Sequence, residues 1–306
     1  MWNMEEKKIQ GFEQAVRVLP LRLRQEAMAL PADQRARVEE LRLRWGRPMA
    51  AVLPEGERPL GGEPVTGQEL EQLLELASRA SFHTVADQLR RGYLTVEGGH
   101  RVGLCGTAVV RDGELRGLRR LSSAAVRVAR QAVGAARPVS DRLLRREGTL
   151  YSTLILVPPG AGKTTLLRDL IRAASDGEGM TPHRVGVADE RGEVAALWNG
   201  RPQLEVGART DVLEGCPKAL ALMLLLRSMN PQVLAADEIT APEDVRALIS
   251  AAGCGAALLA TAHGWDRRDL EERPLYRELM AAGVFRRLVL IRREGDRRRY
   301  EVEELP

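Results

Sequence analysis

Residues 154–167 read LILVPPGAGKTTLL: an apolar strand, a Gly/Pro loop, then Lys-Thr-Thr opening a helix. This strand–loop–helix order is the context in which a phosphate-binding P-loop forms, so it constrains the C-terminal half more than any other feature. Gly160 and Gly162 let backbone N–H groups converge on phosphate oxygens, and the helix N-terminus adds its dipole. Lys163 is expected to reach the β- and γ-phosphates, and the Thr164 hydroxyl to bind Mg2+. Only 4 of the 46 basic residues are Lys (Lys7, Lys8, Lys163, Lys218), so the loop keeps a compact ammonium in a chain that otherwise uses Arg. The nucleotide-binding candidates are Pro158, Pro159, Gly160, Ala161, Gly162, Lys163, Thr164 and Thr165. The loop departs from the usual Gly-x-x-x-x-Gly-Lys-Ser/Thr at its first position, which is Val157. Pro158 follows and pushes its neighbour toward extended geometry, which a β-branched residue favours. The loop is therefore expected to form, with a crowded and weaker nucleotide site as the alternative.

After residue 150 short apolar strands alternate with helices. The pattern places strands at 153–157, 184–188, 233–236 and 256–261, and helices at 163–174, 218–229 and 243–252. That rhythm indicates a parallel sheet covered on both faces. RRLVLIRR and RRYEVEE around Gly295-Asp296 read as a closing edge hairpin. The first ~135 residues have another character. A helical pattern over 1–35 precedes a strand in which Leu41, Leu43 and Trp45 alternate with Arg42 and Arg44. Thr66-Gly-Gln-Glu69 is a capping box ahead of Leu70, Leu73, Leu74 and Ala77. A further helix runs to Arg91, where Gly92 ends it, and strands broken by Gly98-Gly99 and Asp112-Gly113 read as hairpins. The expected division is an α+β domain over 1–136 and a P-loop domain over 137–306.

Three further segments deliver polar residues to the edge of the parallel sheet where such folds bind ligands. VLAADE ends in Asp237, a candidate metal ligand, and Glu238, a candidate to orient the attacking water. RVGVADERGE delivers Asp189 and Glu190, which act on water or metal or else form a salt-bridged surface turn. LLATAHG ends in Thr261 and His263, which sense phosphate or serve only the structure. Hydrolysis in ring ATPases often uses an arginine from a neighbouring subunit, and Arg191, Arg209 and Arg227 lie in or near these segments.

Composition narrows the class. No apolar run approaches the ~20 residues of a membrane span, and MWNMEEKKIQGF lacks a signal-peptide core, so a cytoplasmic chain is expected. Cys105, Cys216 and Cys254 have neither metal-site nor disulfide spacing and read as small buried apolar residues. Net charge is +4 and the Arg-rich stretches are interleaved with acids, which reads as solvated faces and ion pairs rather than a nucleic-acid track.

GAGKTTLLRDL, VGVADERGEVAA, VGARTDVLEGCPKA, LLLRSMNPQVLAADEI and ATAHG together resemble the stage III sporulation protein AA family. VEELRLRWGRPM and GYLTVEGGHRVGLCG resemble that family's N-terminal domain, so the likeness runs over about residues 35–290. The family is similar to the type II/IV secretion and pilus motor ATPases. The resemblance implies a RecA-like P-loop NTPase core with a mostly parallel sheet, preceded by a smaller α+β domain. It makes residues 189–193 an Asp box, and Thr261 with His263 a His box. It also implies an ATP- and Mg2+-dependent ATPase, a homo-hexamer, in the mother-cell cytoplasm at the base of a membrane channel complex facing the forespore. Two other readings stand beside it: a nucleic-acid-dependent P-loop ATPase, and a nucleotide-binding scaffold with weak hydrolysis.

Overall fold

A computed structural model describes residues 4–78, 92–158, 162–294 and 297–306. The expected helix ending at Arg91 and the loop residues Pro159, Gly160 and Ala161 lie outside the described residues. The chain divides into two compact units, one of residues 1–130 with 196–203 and one of 131–195 with 204–306.

The first unit begins with helices α1 (Met4–Ala15), α2 (Leu21–Met28) and α3 (Ala32–Arg35). Its sheet contains β1 (Glu40–Arg44), β2 (Pro48–Leu53), β3 (Gly56–Pro64), β4 (Tyr93–Thr95), β5 (Arg101–Arg111) and β6 (Glu114–Arg127), with α4 (Gly67–Ala77) between β3 and β4. The order is β3-β2-β1-β6-β5-β4, and every pairing is antiparallel. Leu41 and Leu43 of β1 are fully buried with Leu70 and Leu73 of α4, as strand and helix periodicity require. Trp45 departs from the expected alternation: it lies past the end of β1, is 59% exposed, and lays its ring against Gly67. The capping box forms as read, with Glu69 N donating to Thr66 Oγ1 and Thr66 N to Glu69 Oε2. The Glu69 carboxylate also takes both Nε and Nη2 of Arg22, at 2.7 and 2.8 Å. Asp112 and Gly113 both have positive φ, 54° and 76°, which turns β5 tightly into β6. A two-stranded hairpin, β9 (Leu197–Trp198) and β10 (Arg201–Pro202), also belongs to this unit.

The second unit contains α5 (Arg137–Ser140), β7 (Thr153–Val157), α6 (Lys163–Asp176), β8 (Val185–Asp189), β11 (Thr210–Glu214) and α7 (Lys218–Ser228). It continues with β12 (Val233–Ala236), α8 (Pro242–Gly253), β13 (Ala257–His263), α9 (Arg267–Glu272), α10 (Pro274–Ala281), β14 (Arg287–Glu294) and β15 (Arg297–Glu304). The sheet order is β11-β8-β12-β13-β7-β14-β15, parallel except for the last pair, the expected edge hairpin. One face buries Leu154, Leu156, Leu234, Ala236 and Leu258 with Leu222 and Leu225 of α7 and Val245 and Leu248 of α8. The alternate residues Ile155, Val187, Val233 and Leu259 are just as buried, and α6 lies over β7, β8 and β13. Burial on both faces explains why these strands read as continuous apolar runs.

The cysteines are a correction. Cys105, on an exposed strand position, and Cys254, in a turn, are exposed, whereas Cys216 is half-buried against the core of the second unit; all three thiols are free.

Candidate nucleotide site

The C-terminal ends of β7, β8, β12 and β13 deliver the candidate residues to one edge of the sheet. β7 ends at Val157, which is fully buried and pairs with His263 of β13. Its extended backbone is the geometry expected of a β-branched residue before Pro158, which is half-buried. Gly162 caps α6 at φ 97°, a left-handed conformation that glycine adopts without strain. Lys163, Thr164 and Thr165 form the first turn behind it, all half-buried.

Lys163, Glu238 and His263 form a triangle. Lys163 Nζ donates to Glu238 Oε2 at 2.7 Å and lies 3.0 Å from His263 Nε2, which is 3.2 Å from Glu238 Oε1. Arg191 Nη1 donates to the same Oε2 at 3.0 Å. Burial pushes the Glu238 carboxyl up, but the hydrogen bond and charge of Lys163, with Arg191 and His263 behind it, outweigh burial and hold it below the usual carboxylate range. Glu238 is therefore ionised near neutral pH, as a residue that accepts a proton must be.

Asp237 faces the helix instead. Thr164 Oγ1 donates to Asp237 Oδ2 at 2.6 Å, and Thr261 Oγ1 donates to Oδ1 at 2.5 Å. Thr261 Oγ1 also accepts from the backbone N–H of Glu238 at 2.7 Å. One buried hydroxyl thus fixes both members of the acid pair. Glu238 holds φ at 59°, a left-handed backbone that costs a non-glycine residue about 1–3 kcal/mol. The surrounding hydrogen bonds offset that cost. Ile239 N donates to Thr261 O, Tyr276 Oη of α10 donates to Ile239 O, and Arg273 Nη1 donates to His263 O. Residues 273–276 therefore hold the ends of β12 and β13 together.

The pair from β8 is arranged differently. Asp189 is 1% exposed and accepts the backbone N–H groups of Glu193, Val194 and Ala195 at 2.8 to 3.0 Å. Burial raises its pKa against those three donors. Arg168 of α6, itself buried, donates to the carbonyls of Glu193 and Val194. Asp189 is thereby a brace for the 190–195 loop. Glu190 bonds to Lys218 Nζ at 2.7 Å rather than to the Lys163 triangle. Lys218 is 5% exposed and also approaches Asp244 at 3.9 Å, so a second of the four lysines is spent tying β8 to α7 and α8.

Of the three candidate arginines, Arg191 alone meets the site. Arg209 donates to Ser175 O at the opposite edge of the sheet, where β11 begins, and Arg227 is exposed in the last turn of α7. Sequence reasoning missed Lys218, Arg168, Arg273 and Tyr276. The scarcity of lysine was a usable signal for the first; the others act across long sequence separations and left none.

A mostly parallel sheet with a lysine, an acid pair and a histidine at its C-terminal edge is the arrangement of a RecA-like P-loop core. The pilus retraction motor PilT, solved with bound ADP, superposes with a TM-score of 0.60 at 16% identity over 88% of this chain and 80% of that one. The ATPase DotB of Legionella pneumophila gives 0.54 at 14% identity over 87% and 76%. Residues 8–302 match the family Sporulation stage III, protein AA, and the chain belongs to that family. It is 39% identical over 286 residues to Stage III sporulation protein AA of Bacillus subtilis (strain 168), spanning 91% of this chain and 90% of that relative.

Proposed function

We propose that this chain is a Mg-ATP-hydrolysing motor ATPase that energises or assembles a membrane channel complex between mother cell and forespore. The observation that carries the hydrolytic reading is the Lys163–Glu238–His263 triangle beside the Thr164–Asp237 pair. In the chain as it stands, the phosphate-binding lysine and the water-activating carboxylate satisfy each other. A nucleoside triphosphate draws Lys163 to its β- and γ-phosphates and releases Glu238. Losing its main partner, the half-buried carboxylate becomes a better proton acceptor. Glu238 takes the proton of the water whose oxygen attacks the γ-phosphorus, as the bond to the bridging oxygen breaks and ADP leaves. His263 and Thr261 hold Glu238 in place and report the state of the phosphate to β13. Thr164 and Asp237, a hydroxyl and a carboxylate that share a hydrogen bond, are the hard oxygen donors that would hold a Mg2+ ion beside the phosphates. Bound there, the ion supplies neutralisation of phosphate charge.

The motor reading rests on family membership and on the shared fold. A homo-hexamer is the proposed working form, cytoplasmic in the mother cell and bound to membrane proteins of the channel complex. No helix among the described residues is long and apolar enough to cross a membrane. ATP binding and turnover by the full chain, with K163A beside it, test the reading. Wild-type turnover that K163A abolishes supports it; a wild type that binds ATP no better than K163A contradicts it. Mass photometry with ATP is expected to show six copies.

A further inference from the structure

The closing hairpin carries a residue that the sequence reading left in a solvated arginine run. β14 pairs in parallel with β7, with Leu290 opposite Leu156. β7 stops at Val157, one residue on, whereas β14 continues to Glu294. The hairpin therefore overhangs the start of the phosphate loop. β15 returns antiparallel with Arg298 opposite Arg293, in the overhanging part. A Cβ built on Gly162 would stand 2.7 Å from Cζ and Nη2 of Arg298 and 3.1 Å from Nη1. The guanidinium thus lies against the glycine that caps α6, next to Lys163.

This placement is unfavourable for a bare cation. The N-terminus of α6 carries partial positive charge, and Lys163 adds a full one. Glu238 matches Lys163 at 2.7 Å, but among the described residues no carboxylate pairs with Arg298. A guanidinium fork at a helix N-terminus suits a phosphate, whose oxygens accept both from it and from backbone N–H groups.

Building on the nucleotide-site reading above, we propose that Arg298 is a phosphate ligand supplied in cis, donating from the C-terminal hairpin to the phosphates of the bound nucleoside triphosphate. The hairpin then becomes a sensor of nucleotide state, because an edge element of the sheet holds one of the charges that the phosphates neutralise. Gly162 is favoured for its positive φ, and a side chain there would also push the guanidinium aside.

The test uses the full-length chain, a fluorescent ATP analogue in the presence of Mg2+, and the variants R298A, R298K, R299A and K163A. Arg299 neighbours Arg298 and lies 3.6 Å from Glu301, so R299A controls for loss of one hairpin charge. R298A is expected to bind ATP about tenfold more weakly, the scale of a charge-assisted hydrogen bond, with R298K between it and wild type. R299A is expected to match wild type. The melting temperature of nucleotide-free R298A is expected to be no lower than that of wild type, while its shift on adding ATP shrinks. Wild-type affinity in R298A, or tighter binding, overturns the proposal while leaving the nucleotide site intact. A wild type that binds ATP no better than K163A overturns the site and this proposal together.

Discussion

Asp189-Glu190 and Asp237-Glu238 are spelled alike, and each leaves the C-terminal end of a buried parallel strand at the same edge of one sheet. Their environments give them different work. Asp189 is sealed under three amide N–H groups, with Arg168 holding the carbonyls of the same loop, and Glu190 is tied to Lys218. Asp237 instead meets the hydroxyls of Thr164 and Thr261, and Glu238 meets Lys163, His263 and Arg191. Partners separate the two pairs: backbone donors make one acid into scaffold, and the neighbouring lysine is what supports the proposed chemistry at the other. The pair from β8 still serves the site, because the loop it braces carries Arg191 to Glu238.

The comparison breaks most sharply under removal of the brace. D189A leaves three amide N–H groups without their acceptor and removes the carboxylate whose charge acts most on buried Arg168, and is expected to cost about 3–5 kcal/mol of stability. Urea unfolding of D189A beside D237A reads this, and equal losses would erase the distinction between the pairs. T261V is expected to cost less, about 1–3 kcal/mol, since it strips one hydrogen bond each from Asp237 and Glu238 N. It is also expected to lower ATP turnover, because the Glu238 backbone at φ 59° loses a restraint; a T261V protein with normal turnover would separate the hydroxyl from the chemistry.

The smallest expected effect is in the pH dependence. The folded pKa of Glu238 lies below its unfolded value, so its ion pairs stabilise the fold above the ordinary carboxylate range and are lost as pH falls through the depressed value. E238Q has no such loss, so its urea midpoint is expected to fall less than that of wild type between neutral and acid pH. Parallel curves for the two proteins would mean that Lys163 does not hold Glu238 ionised.

Much of this architecture was legible in the sequence. β7 and β12 fall where their apolar runs ended, because strands buried on both faces leave an unmistakable pattern. The capping box and the Asp112-Gly113 turn were legible because their physics is local. β11 escaped notice: an edge strand of half-buried residues, TDVLE, has no apolar run to show. Helices α9 and α10 escaped because both are short, α9 being charged at nearly every position and α10 only eight residues long. At the site, the residues brought to the sheet edge were readable, but the split between scaffold and chemistry was not. Nothing in ADE before Arg191 or ADE before Ile239 says which carboxylate will find a lysine and which a row of amides. Arg298 was hidden because its position depends on how far β14 overhangs β7, a property of register.

The most direct measurement of the central claim is steady-state turnover at saturating Mg-ATP for wild type, E238Q and E190Q. Glu238 as the proton acceptor requires E238Q to lose about 100-fold or more. Glu190, held by Lys218, is expected to leave most of the rate in place when replaced by Gln. Equal losses in the two variants, or an E238Q protein that turns over ATP at the wild-type rate, would contradict the assignment of chemistry to the β12 pair.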